Sequence, residues 1–158
     1  GAPLQVIQLR APDPGLRAAL ERFTRGSRLL HLDYHPFNVM VDRSEVSCVL
    51  DWPNACAGDP RADLARTVVI LRLSHVPPGP RGSLELVARR LLEASWRRGY
   101  ALVSPGLTGM APFYAWAADA TARDLAPKLG RPGIPLSPRD IDRLRAWSLH
   151  WRRRAGVP

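Results

Sequence analysis

The apolar residues of this chain recur at helical spacing over most of its length. Residues 16–25 have an apolar face of this kind, and Gly26 follows as a suitable helix end. That face comprises Leu16, Ala19, Leu20 and Phe23. The same spacing predicts further helices over residues 63–73, 83–98 and 111–125, and a last one from residue 137 onwards.

Residues that favour helix ends support several of these boundaries. Ser83 and Ser137 are candidate N-caps, and Pro138 suits the first helical position. Gly99 is a suitable end for the helix that begins at Ser83, and the proline-rich residues 77–80 form a stiff linker before it. In that helix the periodicity predicts that Leu84, Val87 and Leu91 face the core, with Ala94 and Ser95 as further candidates.

Two short apolar runs, residues 39–41 and 46–50, flank a polar turn and predict a β-hairpin. If residues 42–45 form that turn, Val41 pairs with Val46 and position 38 lies opposite position 49. A two-stranded hairpin is not stable alone in water, so we expect it to pack on the helices. Residues 53–61, rich in Pro, Asn, Gly and Asp, indicate a loop. The predicted fold class is therefore mainly α with a small β-hairpin.

Length and composition fit a single soluble domain. The chain has 158 residues, of which 46% are hydrophobic and 23% charged, enough to bury a substantial core. No apolar run approaches the roughly 18 to 20 residues of a membrane helix, and the N-terminus lacks a signal-peptide pattern. Cys48 and Cys56 do not make a disulfide framework, so we expect a reducing, cytoplasmic location.

The charge is strongly basic and unevenly distributed. The net charge is +9, and the basic residues are 22 Arg and Lys128. Residues 1–66 are neutral overall, whereas residues 67–158 carry the whole surplus. A basic module that binds nucleic acid is therefore an alternative hypothesis. Because the arginines alternate with apolar residues on ordinary amphipathic helices, nucleic acid is not the expected partner.

Chemistry is concentrated in the segment HLDYHPFN, residues 31–38, and in the Asp51-Trp52 pair thirteen residues after its last position. Phosphoryl transfer needs a carboxylate that accepts the proton of the attacking hydroxyl, and oxygen ligands for Mg²⁺. Asp33, Asn38 and Asp51 supply these groups. The hairpin would bring Asn38 and Asp51 together, since neighbouring strands lie about 4.8 Å apart. Pro36 prevents a regular helix, so the loop can bring Asp33 to the same place.

The segments HLDYHPFNVMVD and VLDWPNACAGDPRADLART resemble the aminoglycoside phosphotransferase and choline kinase-like family. The resemblance is close over residues 29–67. It implies a protein-kinase-like fold, with Asp33 as catalytic base, Asn38 and Asp51 as Mg²⁺ ligands, and His31 and Asp63 as supports of the catalytic loop. It also implies ATP as phosphate donor and a small-molecule hydroxyl as acceptor, such as an aminoglycoside-like or other small alcohol.

This sequence departs from the family pattern at several points. Leu32 stands where many relatives have Gly, and Pro53 stands where many have Glu. No lysine and no glycine-rich loop precede His31, although kinases of this type use both to hold ATP. We therefore expect the chain to be a C-terminal lobe whose N-terminal β lobe is absent, and to be nearly inactive alone. Within one domain, residues 27–66 would form the catalytic segment and residues 67–158 a helical substrate-side subdomain.

Each motif residue also has a structural interpretation. His31 and His35 have zinc-like spacing, but Pro36 argues against the helix that such a site needs. Asp59, between Gly and Pro, favours a turn, and Asp63 has the pattern of a helix N-cap. A degenerate kinase lobe that acts as a scaffold is a further alternative. The remaining candidates fit a structural role: the tryptophans at 96, 116, 147 and 151, and the terminal arginines at 152–154.

Overall fold

A computed structural model describes residues 13–22, 28–76, 79–104 and 107–157 of the chain. The first elements in chain order are α1 (Pro14–Glu21), β1 (Arg28–Leu30), a 3-10 turn (Pro36–Asn38), β2 (Val39–Asp42), β3 (Glu45–Val49) and β4 (Cys56–Gly58). They are followed by α2 (Pro60–Leu73), α3 (Pro80–Val103), α4 (Ala111–Leu125), a 3-10 turn (Ala126–Lys128) and α5 (Pro138–Arg154). The prediction of a mainly α fold with a small β component is confirmed.

The centre of the fold is α4, which packs against α5, α2 and α1. Its residues 112–118 are all buried, and the alanines among them let the neighbouring helices approach closely. Burial of large apolar side chains around this helix is the main favourable term in folding. The largest fully buried apolar side chains are Phe113, Leu16, Leu30, Leu144, Val68 and Val69.

Side-chain caps define the starts of α1, α2 and α5. Asp13 Oδ1 accepts a hydrogen bond from the Leu16 N–H at 2.7 Å, and this bond lowers the pKa of Asp13. The predicted Ser137 cap is confirmed, because Ser137 and Asp140 form a capping box. The predicted start of α2 was wrong: Asp59 is the N-cap, and Asp63 lies one turn inside the helix.

The predicted orientation and length of α3 were also wrong. The helix begins at Pro80 after Gly79, whose φ of +95° favours glycine, and it continues through Gly99 to Val103. Leu84, Val87 and Leu91 were predicted to face the core, but they are 72%, 54% and 65% exposed. The opposite side of α3 faces α2 instead.

That inner side of α3 is held by polar contacts, which hydrophobic periodicity does not detect. Glu93 is only 3% exposed. Arg72 of α2 donates two hydrogen bonds to its carboxylate, at 2.8 and 2.9 Å, and Arg97 donates a third at 2.8 Å. Bidentate arginine contacts of this kind compensate for burying a carboxylate. A buried charge network has therefore taken the place of the expected apolar seam.

The hairpin of β2 and β3 has the predicted turn but not the predicted register. Val41 pairs with Val46 as expected, with Arg43 and Ser44 in the turn at φ of 47° and 71°. A bulge then leaves Ser47 unopposed, so Val39 pairs with Val49. The expectation that position 38 lies opposite 49 was therefore wrong by one residue.

A second two-stranded sheet lies where the sequence indicated only a loop. Strand β4 pairs antiparallel with β1, with Arg28 opposite Gly58 and Leu30 opposite Cys56. A Cβ at position 58 would approach Leu30 Cδ1 to 2.8 Å, so a larger residue there would require the buried Leu30 side chain to shift. This sheet ties the start of the catalytic segment to the start of α2.

Three statements of the sequence analysis fall partly or wholly outside the described residues. Helix α1 ends at Glu21, and Phe23 and Gly26 lie outside the described ranges. The same is true of Pro77 and Pro78 in the predicted linker. Within the described part of the chain, no helix is both long enough and apolar enough to cross a membrane.

Candidate active site

The loop that carries Asp33 is fixed by two side chains of α2. The Leu32 N–H donates to Asp63 Oδ1 at 2.7 Å, and the Leu32 carbonyl accepts from Arg66 Nε at 3.0 Å. Asp63 and Arg66 are three residues apart and so lie on one face of the helix. Leu32 has a φ of 62°, a conformation that costs a non-glycine residue roughly 1–2 kcal/mol. The two hydrogen bonds hold the backbone in this strained conformation.

His31 connects the loop to the end of the hairpin. Its Nδ1 accepts from the Asp33 N–H at 3.2 Å, and its Nε2 lies 2.8 Å from the Leu50 carbonyl oxygen. Because a carbonyl only accepts, Nε2 carries the proton and Nδ1 does not, which defines one neutral tautomer. The ring is 4% exposed and lies 4.6 Å from the Trp52 ring, centroid to centroid.

Asn38 joins the catalytic loop to the hairpin from the other side. Its Nδ2 donates to the Asp33 carbonyl at 2.9 Å and lies 3.3 Å from His35 Nε2. The main-chain carbonyl of Asn38 accepts a hydrogen bond from the Leu50 N–H at 2.8 Å. The amide nitrogen is committed to these contacts, which leaves the amide oxygen as the atom able to bind a cation.

Asp51 directly follows this junction. The bulge places Leu50 opposite Asn38. Asp51 therefore lies one residue beyond the partner of Asn38, whereas the predicted register placed it two residues beyond. Asp51 is exposed and has a φ of 63°. The site thus has a half-buried carboxylate at Asp33 and an exposed one at Asp51, with the Asn38 amide between the segments that carry them.

One family model matches residues 4–113, more than half of the chain, and its description is phosphotransferase enzyme family. The chain belongs to this phosphotransferase family. No curated protein and no solved structure matches it. The resemblance seen in the sequence is confirmed at the level of the phosphotransferase family.

The oxygen donors of this phosphotransferase fit a small divalent cation. Mg²⁺ is usually bound by one or two carboxylates together with water and substrate phosphates, rather than by a complete protein cage. Asp51 and the Asn38 amide oxygen are of that type. No group of three His, Cys, Asp or Glu side chains suited to a metal occurs among the described residues. The metal role of these residues stays a prediction.

Burial differs between the two acids of this region, Asp63 and Asp33. Burial raises the pKa of Asp63, and the N–H groups of Leu32 and His31 offset that effect only in part. Burial also raises the pKa of the nearby Cys56 thiol. Asp33 is the more exposed carboxylate, with 29% of its side chain accessible.

The sequence analysis missed Arg66 as part of this arrangement, and it missed the buried ion pair that Asp59 forms at the start of α2. Arg66 is 8% exposed and also bonds to Thr121 and Asp124 on α4, at 2.8 and 3.1 Å. Asp59 is 2% exposed and accepts two hydrogen bonds from the Arg61 side chain, at 2.9 and 2.7 Å. The three-residue spacing from Asp63 to Arg66 could have predicted that both side chains lie on one face of α2.

The structural interpretation given in the sequence analysis fits His31 and the tryptophans but not Arg152. His31 uses both ring nitrogens in hydrogen bonds to the protein, as a structural residue does. Trp116 is buried, and the other tryptophans of α3 and α5 are half-buried, as expected. Of the terminal arginines, Arg152 is not simply solvated, since it pairs with Asp13 and Asp119 at 3.1 and 2.7 Å.

Proposed function

We propose that this phosphotransferase transfers the γ-phosphate of ATP to a hydroxyl group of a small molecule. Asp33 is the catalytic base, and Asn38 and Asp51 hold Mg²⁺. The observation that carries the proposal is the double contact of Asn38, whose side chain binds the Asp33 carbonyl while its main chain binds Leu50 beside Asp51. One residue thereby links the base and the metal segments.

Asp33 is suited to orient the attacking hydroxyl and to accept its proton. Its carboxylate is accessible to a ligand, while its main-chain N–H and carbonyl are bound to His31 and Asn38. A base held in this way needs little reorganisation when a hydroxyl group arrives, and such positioning is the main source of catalysis in phosphoryl transfer. Bound Mg²⁺ would neutralise charge on the phosphate oxygens.

His31, Asp63 and Arg66 act through the loop and not on the reactants. His31 sets the distance between Asp33 and the hairpin, because it binds the Asp33 N–H and the Leu50 carbonyl. Asp63 and Arg66 hold Leu32, the residue between His31 and Asp33. These three are positioning residues.

We further propose that the described helices and hairpin correspond to the C-terminal lobe of a protein-kinase-like fold. The glycine-rich loop and the lysine that hold ATP in such enzymes do not occur upstream of His31 in this sequence. The unpaired cysteines, with Cys48 exposed, support a reducing, cytoplasmic setting.

The net charge gives limited support to the nucleic-acid alternative. Many of the arginines in the basic half are engaged within the fold. They include Arg72 and Arg97 with Glu93, Arg89 with Glu85, and Arg152 with Asp119. A phosphate-binding surface requires arginines that are free to reach a nucleic-acid backbone. We therefore favour a small-molecule acceptor.

The test is transfer of labelled phosphate by the polypeptide that the complete gene encodes. With γ-labelled ATP, Mg²⁺ and a small-molecule extract as acceptor mixture, we expect a labelled product of low molecular mass. Asp33→Asn should reduce its formation by about 10²–10⁴-fold, whereas Asp42→Asn in the exposed hairpin turn should not. A labelled product that forms equally well with Asp33→Asn would overturn the assignment, and so would the absence of any product.

A further inference from the structure

We propose that the groove between the catalytic loop and α3 binds the acceptor, and that this acceptor is an uncharged alcohol with an apolar body. The inference rests on the proposed function and adds the chemical class of the substrate. Thr67 and His35 would hydrogen-bond the polar end of that molecule, next to Asp33.

The groove consists of two adjoining cavities of about 240 and 570 Å³. Both are lined by His35 and Pro36 of the catalytic loop, Leu71 of α2 and Leu92 of α3. The smaller cavity is also lined by Trp96 and Tyr34, among others. Their combined size is in the range of small-molecule sites, and a largely apolar lining with a few polar atoms is typical of them.

The position of the smaller cavity suits an acceptor. Tyr34 and His35, which directly follow Asp33, line it, and His35 Nε2 lies 3.9 Å from Asp33 Oδ1. A hydroxyl at the loop side of the cavity would therefore lie beside the proposed base. The Tyr34 and Trp96 rings are stacked, with centroids 6.4 Å apart, and give this side of the groove a flat aromatic wall.

Two buried polar atoms in this lining have no hydrogen-bond partner among the described residues: Thr67 Oγ1 and His35 Nδ1. Thr67 is 1% exposed and lines the smaller cavity. Since His35 Nε2 faces the Asn38 amide N–H₂, the proton of neutral His35 belongs on Nδ1. Buried polar atoms without partners are rare and costly in folded proteins. In the proposed complex, side-chain movement opens these atoms to the cavity, and the polar end of the ligand accepts from His35 Nδ1–H and pairs with the Thr67 hydroxyl.

The charges in the lining argue against a polycationic acceptor. The carboxylate that lines the larger cavity is Glu85, and it is already hydrogen-bonded to Arg89. Arg89 also donates to the carbonyls of Ser74 and His75, both at 3.2 Å, and is held in place beside the groove. A polyamine such as an aminoglycoside would meet a paired acid, a fixed guanidinium and apolar walls. A neutral molecule incurs no such desolvation cost.

The closing experiment measures binding without ATP or metal, so that it is independent of catalysis. 2-(1-Naphthyl)ethanol is titrated into the ¹⁵N-labelled chain, and amide shifts are followed by NMR. We expect a dissociation constant on the order of 1 mM, from typical ligand efficiencies. The shifts should be centred on residues 34–36, 67, 71, 92 and 96.

Neighbouring residues of α3 provide the matched control. Leu92 lines both cavities, whereas Leu91 is 65% exposed on the outer side of the helix. Leu92→Trp should fill the groove and weaken binding at least about ten-fold, and Leu91→Trp should change it less than about two-fold. Thr67→Val, which keeps the shape, should weaken the alcohol about five-fold but leave 1-ethylnaphthalene unchanged.

Two outcomes would overturn the proposal. One is tight, salt-sensitive binding of kanamycin to the same residues, which would indicate a polycation site. The other is shifts by the naphthyl alcohol that are scattered or equally sensitive to Leu91→Trp and Leu92→Trp. Either result would leave the phosphate-transfer assay unaffected, and loss of transfer with Asp33→Asn would still support the proposed function.

Discussion

The loop that carries Asp33, the proposed base, and the hairpin that leads to Asp51, the proposed metal ligand, differ sharply in how the protein holds them. In the loop, His31, Leu32 and Asn38 are 4%, 7% and 8% exposed, and each is bound to another element. In the hairpin, Val41 and Val46 are 63% and 59% exposed. The proposed base is therefore positioned by the core of the fold, whereas Asp51 lies at the end of a sparsely packed ribbon.

This difference suggests a division of labour within one site. In the proposed function Asp33 is in place before a hydroxyl group arrives, and burial of its supports gives that rigidity. In the same proposal Asp51 binds a cation that enters together with a phosphate, and an exposed position suits that role. The two halves meet at Asn38 and at the His31 contact with Leu50. Changes in the loop should therefore cost folding stability, and changes in the hairpin should mainly affect ligand binding.

The largest effect on stability is expected for Asp63→Ala. It would leave the N–H groups of Leu32 and His31 without the carboxylate that accepts from them, at about 2–4 kcal/mol in the free energy of unfolding. Asp63→Asn keeps an acceptor oxygen and removes a buried charge, so it should cost less than half as much. Urea unfolding measures both. An equal loss of unfolding free energy in the two variants would show that the charge of Asp63, and not its hydrogen-bond acceptance, anchors the loop.

A second effect concerns the strained backbone at Leu32 and Asp51. Both have a φ above 60°, so glycine should be better tolerated there than alanine by about 1 kcal/mol. Leu32→Gly should thus be more stable than Leu32→Ala, and Asp51→Gly more stable than Asp51→Ala. Unfolding midpoints of the four variants measure this. If Leu32→Ala is more stable than Leu32→Gly, while Asp51 shows the expected order, the hydrogen bonds of residue 32 tolerate a backbone with negative φ.

The pH dependence should have opposite signs for Asp63 and Asp140. Because the pKa of Asp63 is raised, the folded state binds more protons than the unfolded state between 3.8 and that raised value, and the contribution of Asp63 to stability falls as pH rises through that interval. For Asp140, burial opposes ionisation, but hydrogen bonds from Ser137 and His75 outweigh it and lower the pKa. Its contribution is complete above about pH 4 and is lost as pH falls through the lowered value.

Stability curves from pH 3 to 7 for Asp63→Asn and Asp140→Asn measure this contrast. Relative to the unsubstituted chain, Asp63→Asn should gain stability with rising pH, and Asp140→Asn should lose it. Parallel curves for the two variants would contradict the assigned environments.

The smallest effect is expected in the hairpin. Val46→Ser and Val41→Ser should each change the free energy of unfolding by less than about 0.5 kcal/mol, because these side chains are largely exposed. Thermal unfolding of the two variants measures this change. A loss above about 1.5 kcal/mol would mean that the hairpin is packed as firmly as the loop, and the contrast between the two would disappear.

Local chemistry explains what the sequence predicted well. The Ser137 cap, the bounds of α4 and the turn at residues 42–45 depend on neighbouring residues, and all were confirmed. The family was inferred from the resemblance of residues 29–67 to the phosphotransferase pattern, and the family model that matches residues 4–113 confirms it.

The remainder depended on contacts between distant residues. The pairing of Leu30 with Cys56 joins residues 26 positions apart, which no short window contains. The bulge at Ser47 is local, but the alternation of apolar and polar residues did not reveal it. The inner face of α3 is set by Arg72 binding Glu93 across 21 residues, while Leu84 and Val87 remain outside. The hydrophobic pattern identified the helix correctly but pointed to the wrong side of it.

The central claim is that the loop and the hairpin meet at one divalent cation, and Mn²⁺ titration of the ¹⁵N-labelled chain tests it most directly. We predict paramagnetic broadening of the amides at residues 33–34, 38 and 50–52, reversed by excess Mg²⁺, abolished by Asp51→Ala and unchanged by Asp42→Ala. Broadening that persists in Asp51→Ala, or that is centred on the acidic turn at residues 42–45, would contradict the account.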